Sequence, residues 1–332
     1  MATVKKINNT KFTIKEFFEE LLQGNPVALA RAITLVESQK ASDQKQAAVL
    51  LEKLLPHAGR SLRIGITGAP GVGKSTFIEV FGKHLTALGK KIAVLAIDPS
   101  STKTKGSILG DRTRMEELSK DAQAFIRPSA TGSALGGVAN KTREAILLCE
   151  AAGFEIIIIE TVGVGQSETA VRSMVDFFLL LQLAGAGDEL QGIKKGIMEM
   201  ADGIVVTKAD GETEKRARQA QTEFQHALHL FQLSESGWTP KVLTASSLEK
   251  KGIGEVWKMI EAFHTFTIKN KSFEKNRAQQ KILWFRESID QLLKTKILQT
   301  KKMSTKISAF EKKITAGKIV PANAAREIVK SL

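Results

Sequence analysis

Cysteine occurs once in the 332 residues, as Cys149 within an apolar run, so a single subunit can build neither a structural disulfide nor a cysteine-based zinc site. A reducing compartment suits such a chain. The five histidines are scattered, and the pattern holds no cluster for a soft metal. Long hydrophobic runs are also missing. The first eighteen residues lack the apolar stretch of a secretory signal, and no later window holds about twenty apolar residues without polar interruption. A soluble, cytoplasmic protein without a membrane span is expected.

Acidic residues are the scarcer charge, 35 against 49 Lys and Arg, for a net charge of +14. Residues 269–332 hold sixteen Lys or Arg and five Asp or Glu, so 11 of the 14 surplus charges lie in the tail. That surplus reads as a solvated helical surface, as a patch for an acidic protein partner, or as a phosphate-binding face. The tail has no repeat and no aromatic interleaving suited to bases, which speaks against nucleic acid.

What is present is enough to fold. With 42% apolar residues, the chain can build one large core with smaller appendages. Apolar positions recur at helical spacing between residues 12 and 56: Phe17, Leu21 and Leu22, then Leu29, Ile33 and Val36, then Val49, Leu50 and Leu54. Gly24-Asn25-Pro26 separates the first two groups, with Pro26 suited to a helix start. These residues predict a small helical domain over 1–58.

Short β-rich runs follow at 62–67, 92–97, 124–126, 154–159, 177–183, 204–207 and 242–244, each trailed by a polar or helical segment. The alternation predicts a mostly parallel α/β sheet covered on both faces, over residues 59–264. Ile156-Ile157-Ile158-Ile159 has no polar alternation and reads as a central strand. Beyond Gly252-Ile253-Gly254 the strands cease. A helix around Val256, Ile260 and Phe263 leads into a longer one, in which Ile282, Phe285, Ile289, Leu292, Leu293 and Ile297 form one apolar stripe. This arm, 265–332, either folds back on its own domain or pairs with a second copy, and a homodimer is expected.

The chemistry begins at Gly68-Ala69-Pro70-Gly71-Val72-Gly73-Lys74-Ser75-Thr76, between a strand and a helix. Glycines there let successive amides face phosphate oxygens, and the helix N-terminus adds favourable electrostatics. This is the phosphate loop of a P-loop nucleotide hydrolase. Lys74 is suited to span the β and γ phosphates and the Ser75 hydroxyl to ligate Mg2+. Asp98 and Glu160 end buried strands at the carboxyl edge, where open α/β sheets bind ligands, and both are candidate magnesium groups. Glu160-Thr161-Val162-Gly163 places a glycine amide, Gly163, where it can sense the γ-phosphate and order a switch. Gln166 and Glu168 stand nearby as candidates for activating water. Thr207-Lys208-Ala209-Asp210 follows a further strand, and the Asp210 carboxylate can accept both the N1–H and the amine of guanine, a pair that adenine does not offer. Ala245-Ser246-Ser247 is a second base-contact loop whose amides can reach guanine O6, so GTP is the expected substrate and GDP the product.

Taken in order, these segments resemble the methylmalonyl-CoA mutase-associated GTPases, chaperones of a cobalamin-dependent mutase formerly labelled lysine/arginine/ornithine transport kinases. The resemblance includes Asp98-Pro99-Ser100-Ser101, Gly106-Ser107-Ile108-Leu109-Gly110-Asp111-Arg112-Thr113-Arg114-Met115, Glu160-Thr161-Val162-Gly163-Val164-Gly165-Gln166-Ser167-Glu168 and Gly187-Asp188-Glu189-Leu190-Gln191-Gly192. It implies a P-loop GTPase fold with an N-terminal helical extension and a C-terminal helical dimerisation arm. It also implies that Ser75, Asp98, Asp111 and Glu160 form the magnesium site, and that Lys208 and Asp210 hold guanine. Lys74, Asp111, Glu160 and Lys194 would take part in hydrolysis, Lys194 from a third switch shared with Asp188. The implied partner is methylmalonyl-CoA mutase, to which adenosylcobalamin belongs. Service to an isobutyryl-type mutase, metal insertion and an RNA-associated role are the alternatives. Three positions depart from the family pattern: Lys105 stands for a glycine, Thr207 for Asn and Ser247 for Ala.

Overall fold

The computed structural model describes residues 13–97, 115–127, 135–161, 167–184, 195–228, 235–299 and 301–331. Asp98, Asp111, Gly163 and Lys194, with Lys105, Gln166 and Asp188, lie outside them. The chain divides into two compact units, Met1–Ala278 and Gln279–Leu332.

The first unit is built on a sheet of seven strands: β1 (Leu62–Gly68), β2 (Ile92–Ile97), β3 (Ala124–Arg127), β4 (Ile156–Thr161), β5 (Phe177–Leu183), β6 (Gly203–Thr207) and β7 (Lys241–Thr244). Their order is β3-β2-β4-β1-β5-β6-β7 and every pairing is parallel. Parallel strands need crossovers, and the helices that supply them cover both faces, which is why the central strands β1, β2, β4, β5 and β6 are buried along nearly their whole length. All six residues of β4 are buried. This strand begins at Ile156 and not at Phe154, because Gly153 turns the chain at φ +84° and Phe154 N donates to Cys149 O (3.1 Å).

Three helices precede the sheet: α1 (Ile14–Leu22), α2 (Pro26–Glu37) and α3 (Ala41–Leu54). Thr13 and Glu16 form a reciprocal capping box at the start of α1. Asn25 caps α2 by accepting from Val27 N (2.9 Å), with Pro26 in the first turn. Phe17, Leu21, Leu29, Ile33, Val36, Leu50 and Leu54 are buried with the inner face of the helix Leu135–Ala151. Leu22 and Val49 are exposed. Each is next in sequence to a core residue, and one step around a helix turns a side chain by about 100°.

On the opposite face, α4 (Lys74–Ala87) buries Phe77 and Phe81, stacked at 5.5 Å, beneath the helix Ile253–Lys269 with its Val256, Ile260 and Phe263. Cys149 lies fully buried, and burial pushes its thiol pKa upward. In the second unit, the helix Ser272–Gln299 continues past Gln279 and leaves Ile282, Phe285, Ile289, Leu292 and Leu293 exposed. The helices Lys301–Thr315 and Pro321–Val329 follow. Among the described residues, no helix is long and apolar enough to cross a membrane.

A network of buried charges lies at the amino edge of the sheet. Arg277 donates to both oxygens of Asp176 (2.8 and 2.7 Å) and to Gly59 O (2.7 Å), while Asp176 also accepts from Arg63 N (2.8 Å). Glu150 accepts from Gly59 N (2.7 Å), Ser61 Oγ (2.6 Å) and the Arg63 guanidinium. Asp176 and Glu150 side chains are each 1% exposed, so removing the cation leaves a carboxylate without its compensating charge. R277A is expected to destabilise the fold by about 3–5 kcal/mol. Equilibrium denaturation checks this, and a change below about 1 kcal/mol would show that Arg63 and the backbone donors suffice.

Candidate nucleotide site

β1 sits between β4 and β5, where the strand order reverses, and its carboxyl end runs directly into the phosphate loop. Gly68 adopts φ +154°, and a Cβ there would lie 2.6 Å from Leu181 O. Only glycine lets the loop press so closely on β5. Gly73, at φ +93°, starts α4. Thr76 is exposed at the loop's end and Val72 is buried beneath it.

Lys74 is buried, and its ammonium donates to Gly68 O (2.7 Å) and Ala69 O (3.2 Å). Burial pulls its pKa below the usual lysine value, and the charges of Glu160 and Glu168 oppose that shift. Ser75 Oγ donates to Glu160 Oε1 at 3.1 Å. This contact follows from register: Glu160 lies within β4, opposite Ile66 of β1. It is therefore a strand residue and does not terminate the strand. Below it, Thr161 Oγ1 donates to Thr67 Oγ1 (2.8 Å). Two hard oxygen donors thus meet at the helix start, a pairing that fits magnesium. Glu168, suggested as a water-activating group, is 5% exposed and acts electrostatically on Lys74.

The end of β6 is tied to the phosphate loop. Thr207 Oγ1 lies 2.8 Å from Val72 O and 3.1 Å from Gln182 O, so the hydroxyl joins β6, β5 and the phosphate loop. Thr207 thus keeps a contact with the phosphate loop. Lys208 is exposed at φ +56°, and its carbonyl accepts from Thr213 Oγ1. Asp210 Oδ2 accepts from the fully buried Ser246 Oγ, which in turn accepts from Glu249 N (3.0 Å). Ala245 N and Ser246 N are committed to Val206 O (2.9 Å) and Lys251 O (3.0 Å). Sequence reasoning singled out Ser246 for its amide, whereas its hydroxyl makes the contact with Asp210. Gly252 closes this loop at φ +76°, where a Cβ would lie 2.2 Å from Thr244 O. Ser247 is partly exposed at the rim.

Replacing Thr207 with Val removes the link while keeping the shape. The Val72 and Gln182 carbonyls then lose the single hydroxyl proton within their reach, so T207V is expected to cost about 1–3 kcal/mol in stability and to weaken nucleotide binding. Thermal unfolding with and without GTP measures both. Unchanged affinity would mean that Val72 needs no support from β6.

The profile of the family described as methylmalonyl Co-A mutase-associated GTPase MeaB matches residues 29–302. The chain is 48% identical to the GTPase ArgK of Escherichia coli over 279 residues, covering 84% of each chain. It is 43% identical to the mitochondrial methylmalonic aciduria type A homolog of Mus musculus, covering 96% of this chain and 79% of that one. A solved structure, the LAO/AO transport system kinase, superposes with a TM-score of 0.76 at 37% identity, covering 97% of this chain and 99% of that one. A family profile matched over residues 29–302, with relatives 48% and 43% identical across most of the chain, makes this protein a member of the methylmalonyl-CoA mutase-associated GTPase family.

Proposed function

We propose that this GTPase gates the delivery of adenosylcobalamin to a methylmalonyl-CoA mutase and protects that enzyme. The observation that supports the reading most is the family match across residues 29–302, which includes the segments on both sides of the phosphate loop. The cofactor belongs to the mutase. The GTPase contributes order that changes with phosphate state.

Within the site, Lys74 neutralises charge on the transferring phosphoryl group, and Ser75 with Glu160 holds magnesium, joined in this reading by Asp98 and Asp111. Magnesium, when bound, withdraws charge from the phosphate oxygens. Lys208 flanks the base and Asp210, oriented by Ser246, accepts from the guanine edge. With the Ala245 and Ser246 amides committed elsewhere, the contact to guanine O6 falls to Ser247 N. Gly163 would read the γ-phosphate, and Lys194 would take part in hydrolysis.

The exposed row Ile282, Phe285, Ile289 and Leu292 suits a homodimer, since apolar side chains in line on one helix gain most by facing a second copy. Light scattering of F285D/L292D is expected to give half the native mass. An unchanged mass would move the interface elsewhere.

K74A is expected to keep the fold and lose GTP turnover by about a hundredfold or more. D210N should weaken GTP by about 2 kcal/mol, roughly thirtyfold in Kd, because a charge-assisted acceptor becomes an amide. Competition among GTP, XTP and ATP measures this, with XTP gaining relative to GTP. The partner is tested by pull-down from native lysate with a non-hydrolysable GTP analogue, repeated with purified mutase. A cobalamin-dependent mutase in the bound fraction supports the proposal, and no retention of purified mutase with either nucleotide overturns it.

A further inference from the structure

Lys208, Ala209 and Asp210, read above as the guanine-binding stretch, leave β6 with a backbone that ordinary residues avoid. Lys208 adopts φ +56°, the left-handed region, where a Cβ crowds the carbonyl oxygen that follows it. Asp210 returns to an extended conformation at φ −137° and ψ 161°, and Gly211 turns again at φ +48°. Relaxation of Lys208 to a commoner conformation would redirect both its own side chain and that of Asp210. The cost of holding it must be offset by contacts nearby.

The contacts that hold the stretch act on different parts of it. Ala209 N donates to Ala245 O (3.1 Å), which ties its middle to the second base loop. Ser246 Oγ donates to Asp210 Oδ2, which orients the carboxylate but not the backbone that carries it. Thr213, at the end of the single turn Gly211–Thr213, acts on that backbone. Its hydroxyl donates to Lys208 O and to Asp210 O (2.8 Å), and Thr213 N also donates to Asp210 O (3.0 Å). The carbonyls of both guanine-binding residues thus converge on one hydroxyl. Its single proton is shared between them, so a change at this side chain reaches both residues at once. Thr213 is exposed, and the bonds it makes are local, spanning five residues to Lys208 and three to Asp210. Its hydroxyl therefore serves the base loop and not the packing of a core.

We propose that Thr213 is a specificity-determining residue for guanine: its hydroxyl fixes the backbone from which Lys208 and Asp210 project, while Ser246 fixes the carboxylate. The inference rests on the reading of Lys208 and Asp210 as the guanine-binding pair, and the test separates the two.

The experiment measures Kd for GDP and for inosine diphosphate (IDP) on the full chain with Mg2+, in wild type, T213V, T213S, D210N and D210N/T213V. Hypoxanthine keeps the N1–H and O6 of guanine but lacks the exocyclic amine, so the ratio of the two Kd values reports the base edge that Asp210 reads. Valine places a methyl where the hydroxyl stood, and no water can bridge the two carbonyls in its place. T213V is expected to raise Kd for GDP about tenfold and for IDP about threefold, so that the preference for GDP falls about threefold. T213S keeps the hydroxyl and should hold the preference within about twofold of wild type. A preference unchanged in T213V, whether both Kd values rise equally or neither moves, overturns the proposal, as does a T213S that is as impaired as T213V. If T213V does not fold in a thermal unfolding check, T213A is measured in its place and read in the same way. D210N should lower the preference by itself, and T213V added to it should lower the preference no further. If D210N leaves the preference intact, the role of Asp210 falls and this inference with it. If D210N lowers the preference and T213V does not, Thr213 alone loses its role.

Discussion

The pairing of β1 with β4 is the constraint from which the site follows. Ile66 lies opposite Glu160, and from that register the Glu160 carboxylate reaches the Ser75 hydroxyl at the start of α4. A slip of one residue would turn Glu160 to the other face of the sheet and part the two oxygen donors. The same strand holds β5 on its other side, and there Gly68 seats the phosphate loop against Leu181. Strand order thus does more than support the nucleotide residues; it sets the distances between them.

The amino edge of the sheet is organised differently. There the ends of β1 and β5 and the helix Ser272–Gln299 are joined by Arg277, Asp176, Glu150 and Arg63, with backbone groups of Gly59 and Ser61 taking the remaining bonds. Buried ions of this kind contribute little net stability compared with apolar packing, but they accept few alternative arrangements. One edge is therefore held by charge while the opposite edge binds nucleotide. Asp176 and Asp202 stand at the starts of β5 and β6, so the frame that anchors Arg277 also anchors Arg172.

Much of this was legible in the sequence because the central strands are mostly apolar runs separated by polar or helical segments. All seven strands, the helices before them and the two helices that directly follow them came from period and punctuation, whereas Lys301–Thr315 and Pro321–Val329 did not. The error was local, at Phe154, where Gly153 turns the chain before β4 begins; helical spacing held, although Leu22 and Val49, each beside a core residue, turn outward. The ties between elements were out of reach for another reason. Thr207 meets Val72 across 135 residues, Arg277 meets Asp176 across 101, and Ser246 meets Asp210 across 36. No periodicity encodes such meetings; they exist only once the sheet order is fixed. The phosphate loop is the opposite case, since its residues act through backbone geometry that glycine spacing itself announces.

The solitary thiol has a practical corollary. Cys149 is fully buried and its pKa is raised by burial and by the neighbouring Glu150, so little reactive thiolate forms near neutral pH. The native chain is thereby a silent background for sulfur chemistry. A cysteine introduced at an exposed position such as Leu248, beside the base loop and 83% exposed, would be the site that a maleimide dye or spin label selects. Rearrangements of the nucleotide edge can then be followed by a single reporter, without first engineering the natural cysteine away.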